Sequence, residues 1–343
     1  MKPDIIARIG PAWQSENWQK LLAEAIRDPA ELLQWLELPD SLLPSARRAA
    51  QLFPLRVPLG YLERIEKGNP HDPLLLQVLP LQAELNESEP AASHDPVGDS
   101  AASPVPGLIH KYQGRVLLIS TGACAIHCRY CFRRHFPYGE NSASPSNHSQ
   151  IIDYINNNLD IEEIILSGGD PLSLTTERLR NLTEQLTALP HIKRLRIHTR
   201  LPVVLPQRID NPFLDWLSSH SMKTITVIHC NHPHELGQDT REALLKLSQT
   251  GTTLLNQAVL LRGVNDSTET LRRLSEELFA SGVMPYYLHQ LDRVTGACHF
   301  AVPDARAQHL LESLNNSLPG YLVPKLVREI EGAPAKQGLP INN

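Results

Sequence analysis

The clearest pattern in the chain is an alternation, from residue 115 onward, of short leucine-rich or β-branched runs with longer amphipathic stretches. Successive runs begin 47, 32, 30, 29 and 32 residues apart. The six runs that predict strands are RVLLIS (115–120), EEIILSG (162–168), RLRIHT (194–199), TITVIH (224–229), TLLNQAVLL (253–261) and PYYLHQL (285–291). Short apolar runs joined by helical stretches indicate parallel strands with crossover helices, so the pattern predicts an α/β fold.

The stretches between the runs show helical spacing. Leucines at 179, 182, 186 and 189 follow one another at intervals of 3, 4 and 3 residues, which places them on one face of a helix. A second leucine series, at 271, 274 and 278, follows the candidate caps Asp266 and Ser267 and ends before Gly282. An open doubly wound sheet and a barrel both fit this alternation. The steady period favours a barrel of six units rather than eight, so we expect a partial (β/α)6 TIM-type barrel.

The first third of the chain has a different pattern. Residues 12–36 have helical spacing, and residues 44–84 are interrupted by prolines, which predicts short helices with turns. The segment that follows, NESEPAASHDPVGDSAASPVPG (86–107), has four acidic residues, four prolines and no Lys or Arg, as expected of a solvated linker or a loosely packed arm. The predicted organisation is an N-terminal helical region (1–85), a linker or arm (86–106), the barrel (107–300) and a C-terminal closing segment (301–343).

Composition and charge narrow the functional classes. The chain has 343 residues, of which 41% are hydrophobic and 20% charged, with a formal net charge of −5. This balance gives no electrostatic case for binding nucleic acid or anionic membranes. The N-terminal stretch MKPDIIARIGPAWQSENW lacks the apolar core of a signal peptide, and no apolar run approaches the ~20 residues of a membrane helix. We therefore expect a cytoplasmic protein whose thiols are reduced.

Polar residues collect where each predicted strand ends. The positions are a cysteine loop after the first run, SGGDP after the second, His198 in the third, HCNHPH at the fourth, Asn256 and Gln257 in the fifth, and Asp292 after the sixth. In parallel α/β folds the carboxyl ends of the strands build the active site. The sequence therefore predicts one site at this end of the barrel.

The cysteine loop CAIHCRYCFRR (124–134) holds three of the five cysteines, Cys124, Cys128 and Cys131, at spacing C-x₃-C-x₂-C. Reduced thiols this close indicate metal binding. A structural zinc site needs a fourth ligand, for which only His127 and His135 are near. An iron–sulfur cluster is the other possibility, because four irons with three protein thiolates leave one iron open to a reacting molecule. The remaining cysteines are distant and suit small buried hydrophobes.

Longer motifs carry a family resemblance. The strings HKYQGRVLLISTGACAIHCRYCFRR, SGGDPL, RLPVVLPQRI, NQAVLLRGVND and PYYLHQLD resemble the lysine 2,3-aminomutases, a branch of the radical S-adenosylmethionine enzymes that also uses pyridoxal 5'-phosphate. The resemblance extends from about Phe53 to about Lys336. It implies that the three cysteines ligate a 4Fe–4S cluster whose open iron binds S-adenosylmethionine. The other residues that it places near that cofactor are Tyr130, Ser167, Gly168, Gly169, Asp170, His229 and Gln257.

For pyridoxal phosphate, the resemblance implies that Lys336, in EIEGAPAKQG, is the lysine that carries the cofactor. This stretch departs from the family, whose run of glycines is replaced here by Gly-Ala-Pro-Ala. Lys325 and Lys111 are the rival lysines. The resemblance places Lys111, Tyr112 and Arg115 where the family binds the cofactor phosphate. Lys111 replaces a family arginine, so a compact ammonium stands in place of a planar guanidinium.

The resemblance also implies a lysine pocket. Arg133 would pair with the substrate carboxylate, while Asp292 and Glu329 would hold the distal ammonium. Glu329 departs from the family's aspartate by one methylene. The implied reaction is isomerisation of free L-lysine to β-lysine, started by a 5′-deoxyadenosyl radical, with a flavodoxin- or ferredoxin-type protein as electron donor.

Within the family, the longer members carry a cysteine-bearing C-terminal extension that this sequence lacks. The segment LFPLRVPLGYLERIEKGNPHDPLLLQVLP resembles the bacterial branch that supplies β-lysine for modification of elongation factor P, which implies a functional link to the ligase of that pathway. Two alternatives stay open: a lysine 2,3-aminomutase of catabolism or osmolyte synthesis, and a non-enzymatic zinc-binding protein.

Overall fold

The computed structural model describes residues 17–85 and 92–339. Their strands form one sheet of nine, in which spatial order follows chain order. The strands are β1 (Leu108–Tyr112), β2 (Arg115–Thr121), β3 (Glu163–Gly168), β4 (Arg194–Thr199), β5 (Lys223–Ile228), β6 (Thr253–Val259), β7 (Met284–His289), β8 (Lys325–Arg328) and β9 (Gln337–Gly338).

Strands β2 to β8 are all parallel, each paired with the next. The short strands β1 and β9 add antiparallel edges, and within the described residues these two edges do not pair with each other. The predicted partial barrel is confirmed, and all six predicted strands are present. Strand β8 adds a seventh parallel strand that sequence analysis missed, because KLVR is too short to show a pattern.

The seven parallel strands are joined by crossover helices, as the spacing predicts. The helices are α6 (His148–Asn156), α7 (Thr176–Thr187), α8 (Leu201–Val204), α9 (Asn211–Ser218), α10 (Gln238–Gln249), α11 (Thr268–Ala280) and α12 (Asp304–Ser317). The cap predicted for α11 is confirmed, since the Ser267 side chain accepts a hydrogen bond from the backbone N–H of Thr270. The leucines of α7 point inward, with Leu179 and Leu186 fully buried.

The N-terminal helices are α1 (Trp18–Ala23), α2 (Pro29–Trp35), α3 (Leu43–Leu52), α4 (Leu59–Leu62) and α5 (Pro73–Leu76). The helical character predicted for residues 12–36 is confirmed in the described part, which forms two helices, α1 and α2, with a break between them. Pro29 cannot continue a helix from the residues before it, and it begins α2 with Asp28 as the cap. Residues 12–16 of that prediction lie outside the described residues. The short helices predicted over 44–84 are confirmed.

One hydrophobic core runs from these helices into the barrel, from Trp18 to Leu326. The acidic segment is also packed: in its described part, 92–106, Val97 and Asp99 are each 2% exposed. Its start is held by backbone hydrogen bonds of Ser93 to Arg293 and Thr295. A solvated linker therefore does not describe residues 92–106, which we call the arm; residues 86–91 lie outside the described range. In the described parts of the chain, no helix is long and apolar enough to cross a membrane.

Candidate active site

A cavity of about 480 Å³ opens at the carboxyl ends of the parallel strands. Each parallel strand from β2 to β7, or the loop that follows it, contributes lining residues, as expected for a parallel α/β site. All the predicted site residues line it: Lys111, Tyr112, Arg115, Cys124, Cys128, Tyr130, Cys131, Arg133, Ser167, Gly168, Gly169, Asp170, His229, Gln257, Asp292, Glu329 and Lys336. The structure thus brings together residues that are up to 225 positions apart in the chain, from Lys111 to Lys336.

The three cysteine thiols are free and line one wall of the cavity. Burial, with the neighbouring Cys128 thiol, raises the pKa of Cys131 to about 11, and burial also raises the pKa of Cys124. Within the described residues, no group of three or more His, Cys, Asp or Glu side chains is arranged to hold one metal ion. Three thiolates on a 4Fe–4S cluster each bind a different iron, so a donor set of three cysteines that line one cavity fits a cluster.

The SGGD turn after β3 fastens the cysteine loop. The N–H of Gly169 donates to Thr121 O at 2.7 Å, and that of Asp170 donates to Ala123 O at 2.8 Å. A Cβ on Gly169 would lie 2.5 Å from Ala123 O, and Gly168 has φ +115°. Both glycines are therefore required by the close approach of the loop backbone.

The side chain of Asp170 extends this connection to β4. It accepts from Thr199 Oγ1 at 2.7 Å and from the backbone N–H of Arg200 at 2.6 Å. Burial raises the pKa of Asp170 to about 6, although these hydrogen bonds oppose the shift. The carboxylate thus ties the ends of β3 and β4 to one geometry.

The wall formed by β5 and β6 carries neutral polar groups. Nε2 of His229 lies 2.8 Å from the side-chain nitrogen of Gln257, and burial lowers the pKa of His229 to about 3. Tyr130, which projects from the cysteine loop, accepts a hydrogen bond from Asn231 Nδ2 at 2.7 Å. These contacts give hydrogen-bonding groups beside the cysteines without adding charge.

On the opposite side, five charged side chains form an alternating chain. Arg133 Nε donates to Asp99 at 2.6 Å, and Asp99 lies 2.5 Å from Lys111 Nζ. Lys111 also donates to Glu329 at 3.2 Å, and the other oxygen of Glu329 accepts from Lys336. The order Arg, Asp, Lys, Glu, Lys alternates in sign, so each charge is compensated by its neighbours.

The two acidic residues of the predicted substrate pocket differ in protonation. Burial alone would raise the pKa of Glu329, but Lys336 and Lys111 outweigh it and hold the value at about 2. Burial, with the nearby negative charge of Glu329, raises the pKa of Asp292 to about 7. The pocket therefore holds one fixed anion and one group that titrates near neutrality.

Several lining residues were not singled out as site residues by sequence analysis. Arg196 and His289 face the cavity from inside strands, and burial lowers the pKa of His289 to about 3. The alternation of polar and apolar residues in RLRIHT was the available signal for Arg196. Arg200 and Asp99 gave no such signal. Arg200 follows β4 and pairs with Glu235 at 2.9 Å, and Asp99 lies in the arm.

Other candidates are placed elsewhere. His127 contacts Pro54 O at 2.8 Å and His135 contacts Thr295 O at 3.1 Å, and neither lines the cavity. Lys325, a rival for the cofactor lysine, is exposed in β8. Cys230 is fully buried in the hydrophobic core.

Comparisons with known proteins agree with this geometry. Residues 118–274 match the model of the radical SAM superfamily. The chain is 47% identical to the L-lysine 2,3-aminomutase of Haemophilus influenzae over 94% of this chain and 95% of the relative. It is 48% identical to that of Escherichia coli over 95% of both chains. It is 34% identical to that of Acetoanaerobium sticklandii over 94% of this chain and 78% of the relative.

These relatives match over 94% to 95% of this chain. The chain therefore belongs to the L-lysine 2,3-aminomutase family of radical S-adenosylmethionine enzymes.

Proposed function

We propose that this protein isomerises L-lysine to β-lysine, using a 4Fe–4S cluster, S-adenosylmethionine and pyridoxal phosphate. The observation that carries the proposal is the polarity of one cavity. It has a guanidinium, Arg133, for an α-carboxylate, and two carboxylates, Asp292 and Glu329, for a distal ammonium. The same cavity holds the three thiols and the lysine that the cofactors need. Together these groups fit a basic amino acid beside a radical-generating centre.

For the cofactors, Cys124, Cys128 and Cys131 would hold the cluster. Lys336 would carry pyridoxal phosphate, whose dianionic phosphate suits the cations Lys111 and Arg115. Bound S-adenosylmethionine supplies a carbon radical, and pyridoxal phosphate supplies a π-system that accommodates the unpaired electron during amino-group migration. Tyr112 offers the phosphate a hydroxyl, and its ring lies 4.6 Å from the Arg115 guanidinium.

The remaining residues of this site would enclose S-adenosylmethionine. Tyr130, which lines the cavity from the cysteine loop, would contact the nucleoside, and the SGGD turn (167–170) offers backbone groups close to the cysteine loop. His229 and Gln257 supply neutral hydrogen-bonding groups on the neighbouring wall.

Binding of the cofactor and substrate would change the ion-pair partners of Glu329. If Lys336 carried the cofactor, Glu329 would lose one of its two cations and could bind the substrate ammonium. The same ammonium stabilises the ionised form of Asp292. Arg133 orients the other end of lysine, so a neutral or acidic amino acid satisfies only one end of the pocket.

The test is incubation of anaerobically reconstituted, reduced protein with lysine, S-adenosylmethionine and pyridoxal phosphate, followed by chromatography for β-lysine. We expect β-lysine from the wild type and from Lys325→Ala, and none from Lys336→Ala, which should also fail to retain pyridoxal phosphate. Full activity of Lys336→Ala without added cofactor would contradict the assignment. A colourless, zinc-loaded protein that never turns brown with iron and sulfide would favour a structural zinc site.

We further propose that the product serves the modification of elongation factor P. The support is the resemblance of the N-terminal helical segment to that branch of the family. In addition, identity is 47–48% with the H. influenzae and E. coli relatives and 33–35% with the clostridial, fusobacterial and methanogen relatives. Deletion of the gene should abolish β-lysyl modification of elongation factor P unless β-lysine is supplied. Persistence of the modification would point to lysine catabolism or osmolyte synthesis instead.

A further inference from the structure

The arm contributes one buried acid that the proposed function leaves without a role. Asp99 is 2% exposed and lies between two cations, with Oδ1 2.5 Å from Lys111 Nζ and Oδ2 2.6 Å from Arg133 Nε. Burial opposes its ionisation, but Arg133 and Lys111 hold the pKa of Asp99 below its usual range. Asp99 is therefore an ionised group in the lining of the cavity.

Asp99 contacts the Arg133 guanidinium through Nε and leaves its other edge open. Asp99 accepts a hydrogen bond from Nε of Arg133. Nη1 has one weak partner, Ser167 Oγ at 3.4 Å, and Nη2 has no hydrogen-bond partner among the residues described. The Phe132 ring lies 4.8 Å from the guanidinium carbon and covers one side. The Nη1–Nη2 edge of Arg133 therefore remains available to a ligand. This edge presents two parallel N–H groups, the arrangement through which a guanidinium binds a carboxylate best.

Asp99 is itself held in place by the arm. The two oxygens of Asp95 accept from the backbone N–H groups of Asp99 and Ser100, both at 2.9 Å. Lys111 also donates to Val97 O at 2.7 Å, and Ser93 is bonded to the loop after β7. The arm thus sets the position of Asp99 before any ligand is bound.

We propose that Asp99 is a positioning residue for substrate recognition, which holds Arg133 by Nε so that the Nη1–Nη2 edge faces the α-carboxylate of the substrate. This inference rests on the proposed function, which makes that substrate lysine. Without the Asp99 charge, Arg133 loses its fixed orientation and the repulsion between Arg133 and Lys111 is no longer screened. Recognition of the carboxylate should then weaken more than recognition of the distal ammonium, which falls to Asp292 and Glu329.

The test compares two ligands on the cofactor-loaded protein. Lysine and 1,5-diaminopentane share the amine-bearing chain, and only lysine has the carboxylate. Equilibrium binding of each is followed by pyridoxal phosphate absorbance. We expect Asp99→Asn to weaken lysine binding about tenfold, the scale of one charge-assisted hydrogen bond, and to change diaminopentane binding less than about twofold.

A double-mutant cycle with Arg133→Lys separates positioning from general damage. Lysine at 133 has no guanidinium edge to orient, so adding Asp99→Asn to it should change lysine affinity by less than about twofold. An equal loss for both ligands, an undiminished effect of Asp99→Asn in the Arg133→Lys background, or no effect at all would overturn the inference. A gain in lysine affinity would also overturn it, since Asp99 would then be a competitor for Arg133.

Asp99→Glu covers the case in which Asp99→Asn does not fold. It keeps the charge but displaces it by one methylene, and should weaken lysine about threefold without affecting diaminopentane. Because binding is measured without turnover, a wild type that binds lysine but makes no β-lysine would contradict the proposed function alone. A selective loss in the variants would still support the role of Asp99.

Discussion

At the scale of single residues, the site is defined by how neighbours set charge. Glu329 and Asp292 are both carboxylates in one cavity, yet the pKa of Glu329 is about 2 and that of Asp292 about 7. Two lysines contact Glu329 and lower its pKa. The pKa of Asp292 is raised because its carboxyl is buried and lies near the negative charge of Glu329. One carboxylate is always ionised, and the other ionises when a cation enters.

Asp292 should make lysine binding depend on pH. Below its pKa the group is neutral and offers the substrate ammonium little, so we expect lysine affinity of the wild type to rise as pH increases from 6 to 8. The rise should approach tenfold per unit on the acidic side of about 7. Titrations of lysine across this range check it, and Asp292→Asn should bind lysine weakly and without this rise.

Ionisation of Asp292 should also lower the free energy of unfolding of the ligand-free protein. A carboxyl whose folded pKa lies above its unfolded value stabilises the fold at low pH, and this contribution is lost as pH rises through the folded pKa, here about 7. At pH 8 the ligand-free Asp292→Asn variant should therefore unfold with a free energy about 4 kcal/mol higher than the wild type. Near pH 4, close to the unfolded pKa, the difference should fall below about 1 kcal/mol. Denaturant titrations at the two pH values measure it, and equal differences at both would exclude this cause.

At the scale of elements, the cysteine loop has no helix or strand of its own and depends on the turn after β3. The backbone of residues 121–123 rests on Gly168 and Gly169, and Asp170 ties that turn to β4. The loop geometry, and with it the position of the three thiols, is thus set by contact with another element.

Gly169→Ala should displace this loop. The added Cβ would meet backbone atoms of residues 122 and 123 at 2.5 to 2.9 Å, and backbone there cannot yield cheaply. We expect iron and sulfide content after reconstitution to fall several-fold, with the fold retained by circular dichroism. Gly139→Ala, at an exposed glycine with no atom within 4 Å of the new Cβ, should leave both contents unchanged.

At the scale of the whole molecule, the N-terminal helices hold the site as part of one core. The side chain of Glu84 is fully buried, and its carboxylate accepts hydrogen bonds from the guanidinium groups of Arg129 at 2.5 Å and Arg134 at 2.7 Å. Both arginines belong to the segment that carries the cysteines. Gln77 accepts from Arg200 at 2.7 Å. These buried contacts connect the first 85 residues to the cavity wall.

Removing the Glu84 charge should therefore destabilise the whole protein. Glu84→Gln leaves two buried guanidinium groups without their anion, which should lower the free energy of unfolding by about 3–5 kcal/mol. Glu37→Gln is the matched control, because its pair with Lys67 at 2.9 Å is exposed; its effect should stay within about 0.5 kcal/mol. Denaturant titration of both variants measures the difference, and similar losses in the two would contradict this role.

The fold was predictable wherever the pattern was long enough. Strands β2 to β7 have clear apolar periods, so their ends were predicted to within two residues, and leucine spacing located α7 and α11. Strands β1, β8 and β9 were missed; β8 and β9 have only four and two residues, which carry no period. The break between α1 and α2 had a local signal, Asp28-Pro29, which the apolar spacing of residues 12–36 hid.

The sequence by itself determined the parallel α/β architecture, the cysteine loop and the family, because periodicity and dense local motifs survive without tertiary contacts. Only the tertiary structure decided that all the predicted site residues line one cavity. It also decided that Lys336 rather than Lys325 reaches that cavity, and that the acidic arm is packed with Asp99 against Arg133. These facts depend on contacts between segments far apart in the chain. Charge pairing in a buried space also fixes the protonation of Asp292 and Glu329, which no local pattern encodes.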